Sequence, residues 1–402
     1  MPTFAVQYLE NSPDLASIAP REVQAQLRQA FRALPISYVL IGWNVQDALL
    51  KACAEETTRA GAKLYRWHPL LTGDGDLQPR PEWQAIGLDG SPVPGFQGMP
   101  EFTFVCPNRP QVRQAILDHV GDLARARRYH GFFLDRIRYP SPVPDPSRLL
   151  ACFCDDCRRA ARAQGLRLDR VQRQIQSLLS NPNGAFALVS ELLGHATTKR
   201  PNAQVRAFLN FRANSITRFV AEVARRVHEQ GQEIGLDCFS PALTWMVGQD
   251  LSALDAHCEW IKPMSYGHTM GPAGLPYELL GLADWLVETV GTDEAEALAW
   301  LSRASGLELP PTRKALFEQG LSPRALAAET HQARRAGVHN LLAGIELVDL
   351  EGVTRLTKSQ VEADLRAFRT AGADGLVLSW DLRHIPPERL SQVRQAWIHD
   401  PI

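Results

Sequence analysis

Short apolar runs alternate with amphipathic stretches along most of this chain. An apolar run bounded by glycine, proline or polar residues predicts a buried strand, whereas apolar positions that recur every three to four residues predict a helix. Eight segments show the first pattern: Thr3–Leu9, Ser37–Trp43, Ala62–His68, Gly131–Asp135, Glu233–Asp237, Trp260–Ser265, Asn340–Glu346 and Gly375–Asp381. Six segments show the second: Arg21–Ala33, Val45–Arg59, Pro110–Arg127, Asn214–Gln230, Lys358–Thr370 and Pro387–Trp397.

Eight strands, most of them followed by a helix, are what a (β/α)8 TIM barrel requires. We therefore predict an α/β fold in which residues 1–402 form a single barrel domain, in preference to a doubly wound open sheet. Three connections are long, at about 69–109, 141–212 and 266–339. The second contains amphipathic patterns near Ser147–Ala163 and Phe186–Thr197. Insertions of this length in a compact domain are typical of the walls or lids of a functional site.

The composition is that of an ordinary globular enzyme. Of the 402 residues, 45% are hydrophobic and 22% charged, and the formal net charge is −1. That charge indicates neither a nucleic-acid partner nor an anionic membrane, and no apolar stretch approaches the roughly 20 residues that span a bilayer. Residues 1–8 lack the features of a signal peptide, and the seven cysteines do not suggest a disulfide framework, so we expect a cytoplasmic location. Nothing in the pattern indicates an oligomeric state.

The segment Gly131–Pro140 indicates where an active site lies. Its apolar residues run directly into Asp135, and a lone charge inside the core would be costly. We therefore expect Asp135 at the carboxyl end of the fourth strand, where barrels of this kind build their sites. Other predicted strands also end in polar or aromatic residues, namely Trp43, His68, Asp237, Ser265, Glu346 and Asp381.

Two carboxyl groups facing one another across such a mouth suit glycosidic bond cleavage, because one protonates the leaving oxygen and the other attacks or activates water. Asp135 and Glu346 are the favoured catalytic pair. A nearby arginine, Arg136 or Arg138, would keep Asp135 ionised, whereas the apolar neighbours of Glu346 would raise the pKa of that carboxyl. The alternatives are a structural ion pair between Asp135 and Arg138, and a surface position for Glu346 just past its strand. Further acids at strand ends are Asp237 and Asp381.

Aromatic and polar side chains near the predicted mouth are candidates for binding sugar. Flat apolar sugar faces stack on rings, while polar side chains hydrogen-bond hydroxyl groups. The rings are those of Trp43, Trp67, Tyr139, Tyr266 and Trp380. The polar candidates are His68, Arg138, Asp237, Lys262, His268 and Asp381. For each ring taken alone, the alternative is ordinary core packing.

Gly131–Pro140, Cys106–Pro110 and the C-x-C-x-x-C run of Cys152–Cys157 together resemble hypothetical glycosyl hydrolase families that have a (β/α)8 barrel. Those families carry a strand-four motif of the form DG-x-x-LD-x-IRYP, and this chain departs from it at the first position, which is His130. Trp260–Tyr266 is similar to their sixth strand. The resemblance implies a glycoside hydrolase barrel with a carbohydrate substrate and no organic cofactor.

Two neighbouring families differ from this chain at the fourth strand. Chitinase-like barrels share a sixth-strand Met-x-Tyr, here Met264–Tyr266, but their fourth strand ends in Asp-x-Glu, and Ile137 occupies the glutamate position here. Retaining barrels with an Asn-Glu pair also differ, because this chain has Leu134 and Asp135. Asp135 is therefore the acid that this segment offers, and its partner must come from another strand.

The C-x-C-x-x-C run brings three thiols close together, and tetrahedral zinc prefers four ligands of this type. The arrangement is similar to the structural zinc site of family 42 β-galactosidases, which add one upstream cysteine. The resemblance implies a structural zinc ion held by Cys106, Cys152, Cys154 and Cys157. The alternative is a reduced or partly disulfide-bonded cluster that fixes the loop.

The favoured function is hydrolysis of an oligo- or polysaccharide by Asp135 and Glu346. A second hypothesis is a Schiff-base lyase or aldolase, because Lys262 lies on the predicted sixth strand, where aldolases of this fold also have a lysine, and a desolvated lysine can be nucleophilic. A third is a non-catalytic barrel that binds carbohydrate.

Overall fold

Eight parallel strands form a barrel in this computed structural model, which describes residues 2–10, 12–73, 77, 80–194 and 202–399. The strands are β1 (Thr3–Tyr8), β2 (Ile36–Ile41), β3 (Lys63–Pro69), β4 (Gly131–Asp135), β5 (Glu233–Cys238), β6 (Trp260–Pro263), β7 (Leu342–Glu346) and β8 (Gly375–Ser379). They pair in the order β6-β5-β4-β3-β2-β1-β8-β7, and a parallel bridge between Ile261 and Leu341 brings the two ends together. The predicted α/β TIM barrel is therefore confirmed.

Helices surround the strands and fill the long connections. They are α1 (Pro20–Ala33), α2 (Asp47–Ala60), α3 (Pro110–Arg125), α4 (Pro146–Leu149), α5 (Asp155–Ala163), α6 (Leu168–Leu179), α7 (Pro182–Leu192), α8 (Ala203–His228), α9 (Leu251–Asp255), α10 (Leu275–Val290), α11 (Glu294–Ser305), α12 (Arg313–Gln319), α13 (Pro323–Arg335), α14 (Lys358–Thr370) and α15 (Pro387–Arg394). Among the described residues, no helix combines the length and the apolar character needed to cross a bilayer.

The insertion after β4 differs most from the sequence prediction. The amphipathic pattern of Ser147–Ala163 divides into α4 and α5, because the intervening cysteines are packed in a buried turn. Helix α8 begins at Ala203, well before Asn214, since the Asn202 side chain accepts hydrogen bonds from two backbone N–H groups of its first turn. The pattern near Phe186–Thr197 corresponds to α7, and its last three positions, 195–197, lie outside the described residues.

The barrel interior is filled by side chains that point inward from alternating strand positions. The Trp260 ring stacks on Phe133 with their centroids 5.2 Å apart. Glycines provide the room for these groups: a Cβ atom at Gly235 would lie 2.2 Å from the Trp260 ring, and one at Gly344 would lie 2.6 Å from Cε of Lys262. The same alternation carries Asp135, Asp237 and Lys262 inward near the carboxyl ends of the strands. Polar side chains therefore lie at the mouth of the barrel, and aromatic side chains fill the interior below them.

Candidate active site

A cavity of about 320 Å³ lies at the carboxyl ends of the strands. Its walls come from distant parts of the chain, which the barrel brings together. Lining residues that carry polar or aromatic groups include Gln7, Trp67, Asp135, Asp237, Tyr266 and Trp380. We call this space the central cavity. Of the acids expected at the mouth, it contains Asp135 and Asp237.

Asp135 is held in place by N–H donors. Its Oδ2 accepts a hydrogen bond from Trp67 Nε1 at 3.0 Å, and its Oδ1 accepts one from the backbone N–H of Arg136 at 2.5 Å. Arg136 has φ +54°, and this sharp change of chain direction turns its N–H back onto the preceding carboxylate. The Arg136 Nε lies 3.9 Å from Oδ2, so the ion-pair partner of Asp135 among the described contacts is Arg136 rather than Arg138. These donors suit a carboxylate that attacks or that accepts a proton.

Asp237 has a very different environment, since its side chain is 3% exposed. Its Oδ2 lies 3.1 Å from Lys262 Nζ, and its Oδ1 has no hydrogen-bond partner among the described residues. Burial raises the pKa of Asp237 to about 7, against the opposing effect of the Lys262 cation, and the charge of Asp135 adds to the increase. A carboxyl group that is still partly protonated at neutral pH is suited to general acid catalysis.

Lys262 is fully enclosed beneath the central cavity. Its Nζ donates to Asp237, to Gln7 Oε1 at 3.3 Å and to the Tyr266 hydroxyl oxygen at 2.5 Å. Tyr266 in turn donates to Ser379 Oγ at 3.1 Å. Burial favours the neutral amine, but Asp237 and Tyr266 outweigh it and raise the pKa of Lys262 above its ordinary value. The ammonium therefore stays charged and holds the neighbouring side chains in position.

Arg138 and Trp380 complete the wall of the cavity. The Arg138 guanidinium lies between the rings of Phe104 and Phe239, 4.5 and 4.4 Å from their centroids. Burial lowers the pKa of Arg138 to about 10, so it remains a cation at neutral pH. The Trp380 ring packs edge-on against Tyr266 at 5.3 Å and also faces the cavity. The site thus offers a flat ring and a cation beside the two acids.

Glu346 and His268 are close to one another but do not line the central cavity. Glu346 is buried in β7, and its Oε1 accepts a hydrogen bond from the backbone N–H of His268 at 2.6 Å. The His268 ring is held by Asp364 at 2.8 Å and by the carbonyl oxygen of Gln319 at 3.0 Å. Burial raises the pKa of Glu346 to about 7. The structure therefore does not bring Glu346 into the cavity that contains Asp135.

Besides Lys262, which lies beneath the central cavity, four other expected site residues lie outside its lining. Trp43 packs against Trp67 inside the barrel, and His68 points outward because neighbouring strand residues face opposite sides. Tyr139 accepts a hydrogen bond from Asn108 Nδ2 beside the cysteine cluster. Asp381 accepts hydrogen bonds from the backbone N–H groups of residues 9 and 10 and from Arg383. The contacts of Tyr139 and Asp381 thus join loops at the carboxyl ends of the strands.

Gln7 and Glu10 line the cavity and were not expected from the sequence. Gln7 is a fully buried polar residue within the apolar strand β1, on the same side as Ala5, which faces the barrel interior. An uncharged polar residue in the middle of an apolar run was the signal that could have identified it. Glu10 follows the strand in a loop, where no periodic pattern applies.

The sulfur atoms of Cys106, Cys152, Cys154 and Cys157 all lie within 4.8 Å of one another and are buried. All four are free thiols, so no disulfide explains their proximity. Backbone or side-chain N–H groups of Ile86, Asn108 and Cys157 point at three of the sulfurs, at 3.4 to 3.5 Å. The group is compatible with a structural metal ion. Four sulfur ligands would complete a tetrahedral shell and leave no open position for a substrate.

No family model matches the sequence, and no curated relative matches it. The fold is similar to that of several solved structures. The PgaB (BpsB) glycoside hydrolase domain from Bordetella bronchiseptica matches with a TM-score of 0.59 at 13% identity, covering 100% of this chain and 99% of that one. The catalytic domain of β-amylase from Paenibacillus polymyxa matches with a TM-score of 0.56 at 12% identity, over 99% and 97% of the two chains.

A GH42 β-galactosidase from G. stearothermophilus has a TM-score of 0.55 at 10% identity. The match covers 97% of this chain and 56% of that protein, so this chain spans about half of its length. At such identities the three likenesses establish a shared fold.

Proposed function

We propose that this chain is a glycoside hydrolase that cleaves an oligo- or polysaccharide in the central cavity, with Asp135 and Asp237 as its two carboxyl groups. The observation that carries the proposal is their shared cavity and their contrasting environments. Asp135 receives N–H donors, whereas burial raises the pKa of Asp237 to about 7. Carboxyl groups with contrasting environments are the usual basis for separate base and acid roles.

In this mechanism Asp237 donates its proton to the leaving glycosidic oxygen as the bond to the anomeric carbon breaks. The Asp135 carboxylate attacks the anomeric carbon or activates water for that attack. Water supplies the new hydroxyl group. If Asp135 attacks, Asp237 takes the proton of that water and is restored; if Asp135 activates the water, Asp135 takes the proton and releases it to solvent, from which Asp237 regains one. Trp380 offers a face for a sugar ring, and Arg138 offers N–H donors for its hydroxyl groups.

The similarly folded proteins support the same class of reaction. One is a glycoside hydrolase domain, one a β-amylase and one a β-galactosidase. The resemblance of Gly131–Pro140 to the strand-four motif of glycosyl hydrolase barrels points in the same direction.

Glu346 is the second candidate for the acid, because burial also raises its pKa to about 7. Its carboxyl group, however, contacts the backbone of His268 and does not line the cavity of Asp135. We therefore assign Glu346 to positioning the loop that carries His268. A Schiff-base role for Lys262 is disfavoured, since its amine is enclosed and its pKa is raised.

Zinc is the metal that we propose for the cysteine cluster, because thiolate is among its preferred ligands and four of them form a closed structural site. The ion would join the loop before α3, which carries Cys106, to the start of α5. Its contribution is to the stability of the loops around the mouth.

A screen of glycan hydrolysis tests the proposal with the wild type, Asp135→Asn, Asp237→Asn and Glu346→Gln. We expect the two aspartate variants to lose roughly 10²–10⁴-fold in rate on the glycan that the wild type cleaves. Asp118→Asn, on the exposed surface of α3, is the matched control and should keep full activity. Full activity in both cavity variants would contradict the proposal, and loss in Glu346→Gln with retention in Asp237→Asn would identify the other pair. Glycan binding without any hydrolysis would favour the non-catalytic barrel.

A further inference from the structure

The central cavity shares walls with two neighbouring cavities. Phe102, Arg138 and Pro272 also line a cavity of about 370 Å³, which we call the aromatic cavity. Leu350 and Val353 also line a cavity of about 630 Å³, which we call the outer cavity. The central cavity therefore adjoins each of the other two, which have no lining residue in common. Each has the size of a small-molecule site, roughly 300–1,000 Å³.

The aromatic cavity combines rings with fixed polar groups. Phe96 and Tyr277 lie edge to face, 5.8 Å apart, on its wall. Glu278 also lines this cavity, and its buried carboxylate accepts hydrogen bonds from Ser141 Oγ at 2.6 Å and from the backbone N–H of Ala273 at 3.0 Å. Rings and oriented polar groups together suit the apolar faces and hydroxyl groups of sugars.

The outer cavity exposes apolar side chains that no described neighbour covers. Among the described residues, three large hydrophobic side chains are exposed, and two of them, Phe317 at 57% and Leu350 at 39%, line this cavity. Exposed apolar groups gathered in a concave surface indicate a ligand site. Polar groups of Glu351 and Arg355 lie beside them. The third exposed side chain, Ile398, lies outside all three cavities.

Asp135 and Asp237 line the central cavity and neither of its neighbours. A bond cut by these acids would thus have space for further sugar residues on both sides. We propose that the three cavities form one cleft that holds a saccharide chain across the barrel mouth, so that the enzyme cuts internal bonds of a polysaccharide. This inference rests on the proposed hydrolase function and adds to it the substrate class and the mode of attack.

The walls of the two outer spaces come from the long connections of the chain. The aromatic cavity is built by residues 93–104, 138–149 and 272–278, and the outer cavity by residues 268–270, 317–320 and 349–355. Loops after β3, β4, β6 and β7 thus extend the site beyond the barrel itself. A site for a single terminal sugar would need no such extension on both sides.

The test uses insoluble, dye-cross-linked polysaccharides of glucose, galactose, mannose, xylose and N-acetylglucosamine, which release dye only when internal bonds are cut. The p-nitrophenyl monoglycosides of the same sugars report removal of a terminal residue. The variants are Tyr277→Ala in the aromatic cavity and Phe317→Ala in the outer cavity. Tyr277→Phe keeps the ring, and Ile398→Ala removes an exposed apolar side chain outside the cleft. Thermal melting verifies that every variant is folded.

We expect dye release by the wild type, and a loss of at least about fivefold in kcat/KM for both alanine variants, because each removes a stacking surface. Tyr277→Phe should recover most of the loss, and Ile398→Ala should match the wild type. The cleft proposal would be refuted if only the monoglycosides were hydrolysed, or if both alanine variants cleaved the polysaccharide as fast as the wild type. Either result would leave the proposed hydrolase function standing.

If nothing is hydrolysed, electrophoresis in native gels that contain soluble forms of the same polysaccharides decides between the two proposals. Retardation of the wild type that is lost in Tyr277→Ala and Phe317→Ala would support the cleft and refute the hydrolase. Absence of both hydrolysis and retardation would refute the cleft as well.

Discussion

The Asp237 carboxylate lies 3.1 Å from the Lys262 ammonium, and the barrel encloses both side chains. Burial alone would favour the neutral form of each group. In the folded protein, however, Lys262 stays charged beneath Asp237, whose pKa is about 7. Lys262 thus limits how far burial can raise the pKa of Asp237, and the pair sets the pH range in which Asp237 can act as an acid.

Replacing Lys262 by methionine should shift the pH dependence of hydrolysis. Asp237 acts in its protonated form, so activity is complete below its pKa and is lost as pH rises through it. Lys262→Met removes the cation that lowers this pKa, and the alkaline limb of kcat/KM should move upward by about one pH unit. The measurement is the pH profile of kcat/KM on the glycan identified by the screen.

Lys63→Met is the matched control for that profile. Lys63 pairs with Glu233 at the amino end of the strands, away from the mouth. Its replacement should leave the alkaline limb unchanged. If the alkaline limb of the profile were also unchanged in Lys262→Met, Asp237 would not be the acid.

Lys262 should resist reductive methylation by formaldehyde and borohydride in the folded protein. Its amine is enclosed, charged and engaged with three acceptors, whereas reaction requires a free, neutral amine. The exposed Lys314 and Lys358 are controls within the same sample, with side chains 82% and 79% exposed. Peptide mass spectrometry should find methyl groups on these two and, in urea, on Lys262 too. Rapid modification of Lys262 in the native protein would revive the Schiff-base hypothesis.

The barrel was predictable because strand-length apolar runs and their spacing depend on local sequence. The bounds of β4, Gly131–Asp135, agree with the prediction, and the other strands differ by a few residues at their ends. The proposed site was predictable only in part, since a residue at a strand end faces the mouth only if its position in the alternation points it inward. Asp237 fulfils this condition, whereas His68 lies one position out of phase and packs against Phe132 and His119.

Which acid acts together with Asp135 depends on contacts made by distant loops. The hydrophobic pattern of the strands does not predict these contacts. Glu346 is at an inward position of β7, but the backbone N–H of His268, from the loop after β6, holds its carboxyl group. Among the described residues, no loop N–H group holds Asp237, which lies beside Asp135 on the neighbouring strand. The order of residues along the chain could not distinguish these outcomes, because they depend on which loop covers each strand end.

The cysteine cluster should hold one zinc ion per chain. Cys157→Ser removes one of four sulfur ligands, and loss of a structural metal costs roughly 4 kcal/mol or more, which should lower the melting temperature by at least about 5 °C. Elemental analysis of the purified protein gives the metal content, and scanning calorimetry gives the melting temperature. Cys258→Ser, outside the cluster, should change neither. A metal-free wild type, melting as Cys157→Ser does, would leave the thiols as a simple buried cluster.

Glu329 should make the protein less stable as pH rises. Its buried carboxyl group accepts hydrogen bonds from Ser240 and from the backbone N–H of Ala242, and burial raises its pKa from 4.5 to about 7. Between these values the folded chain holds a proton that the unfolded chain has released, so the free energy of unfolding falls with pH, by up to about 3 kcal/mol.

Glu329→Gln carries no such proton. The free energy of unfolding of Glu329→Gln should therefore rise relative to that of the wild type as the pH increases from about 5 to about 8, as measured by urea unfolding. Glu288→Gln, on the exposed surface of α10, should show a constant difference from the wild type, and a constant difference for Glu329→Gln would contradict the raised pKa.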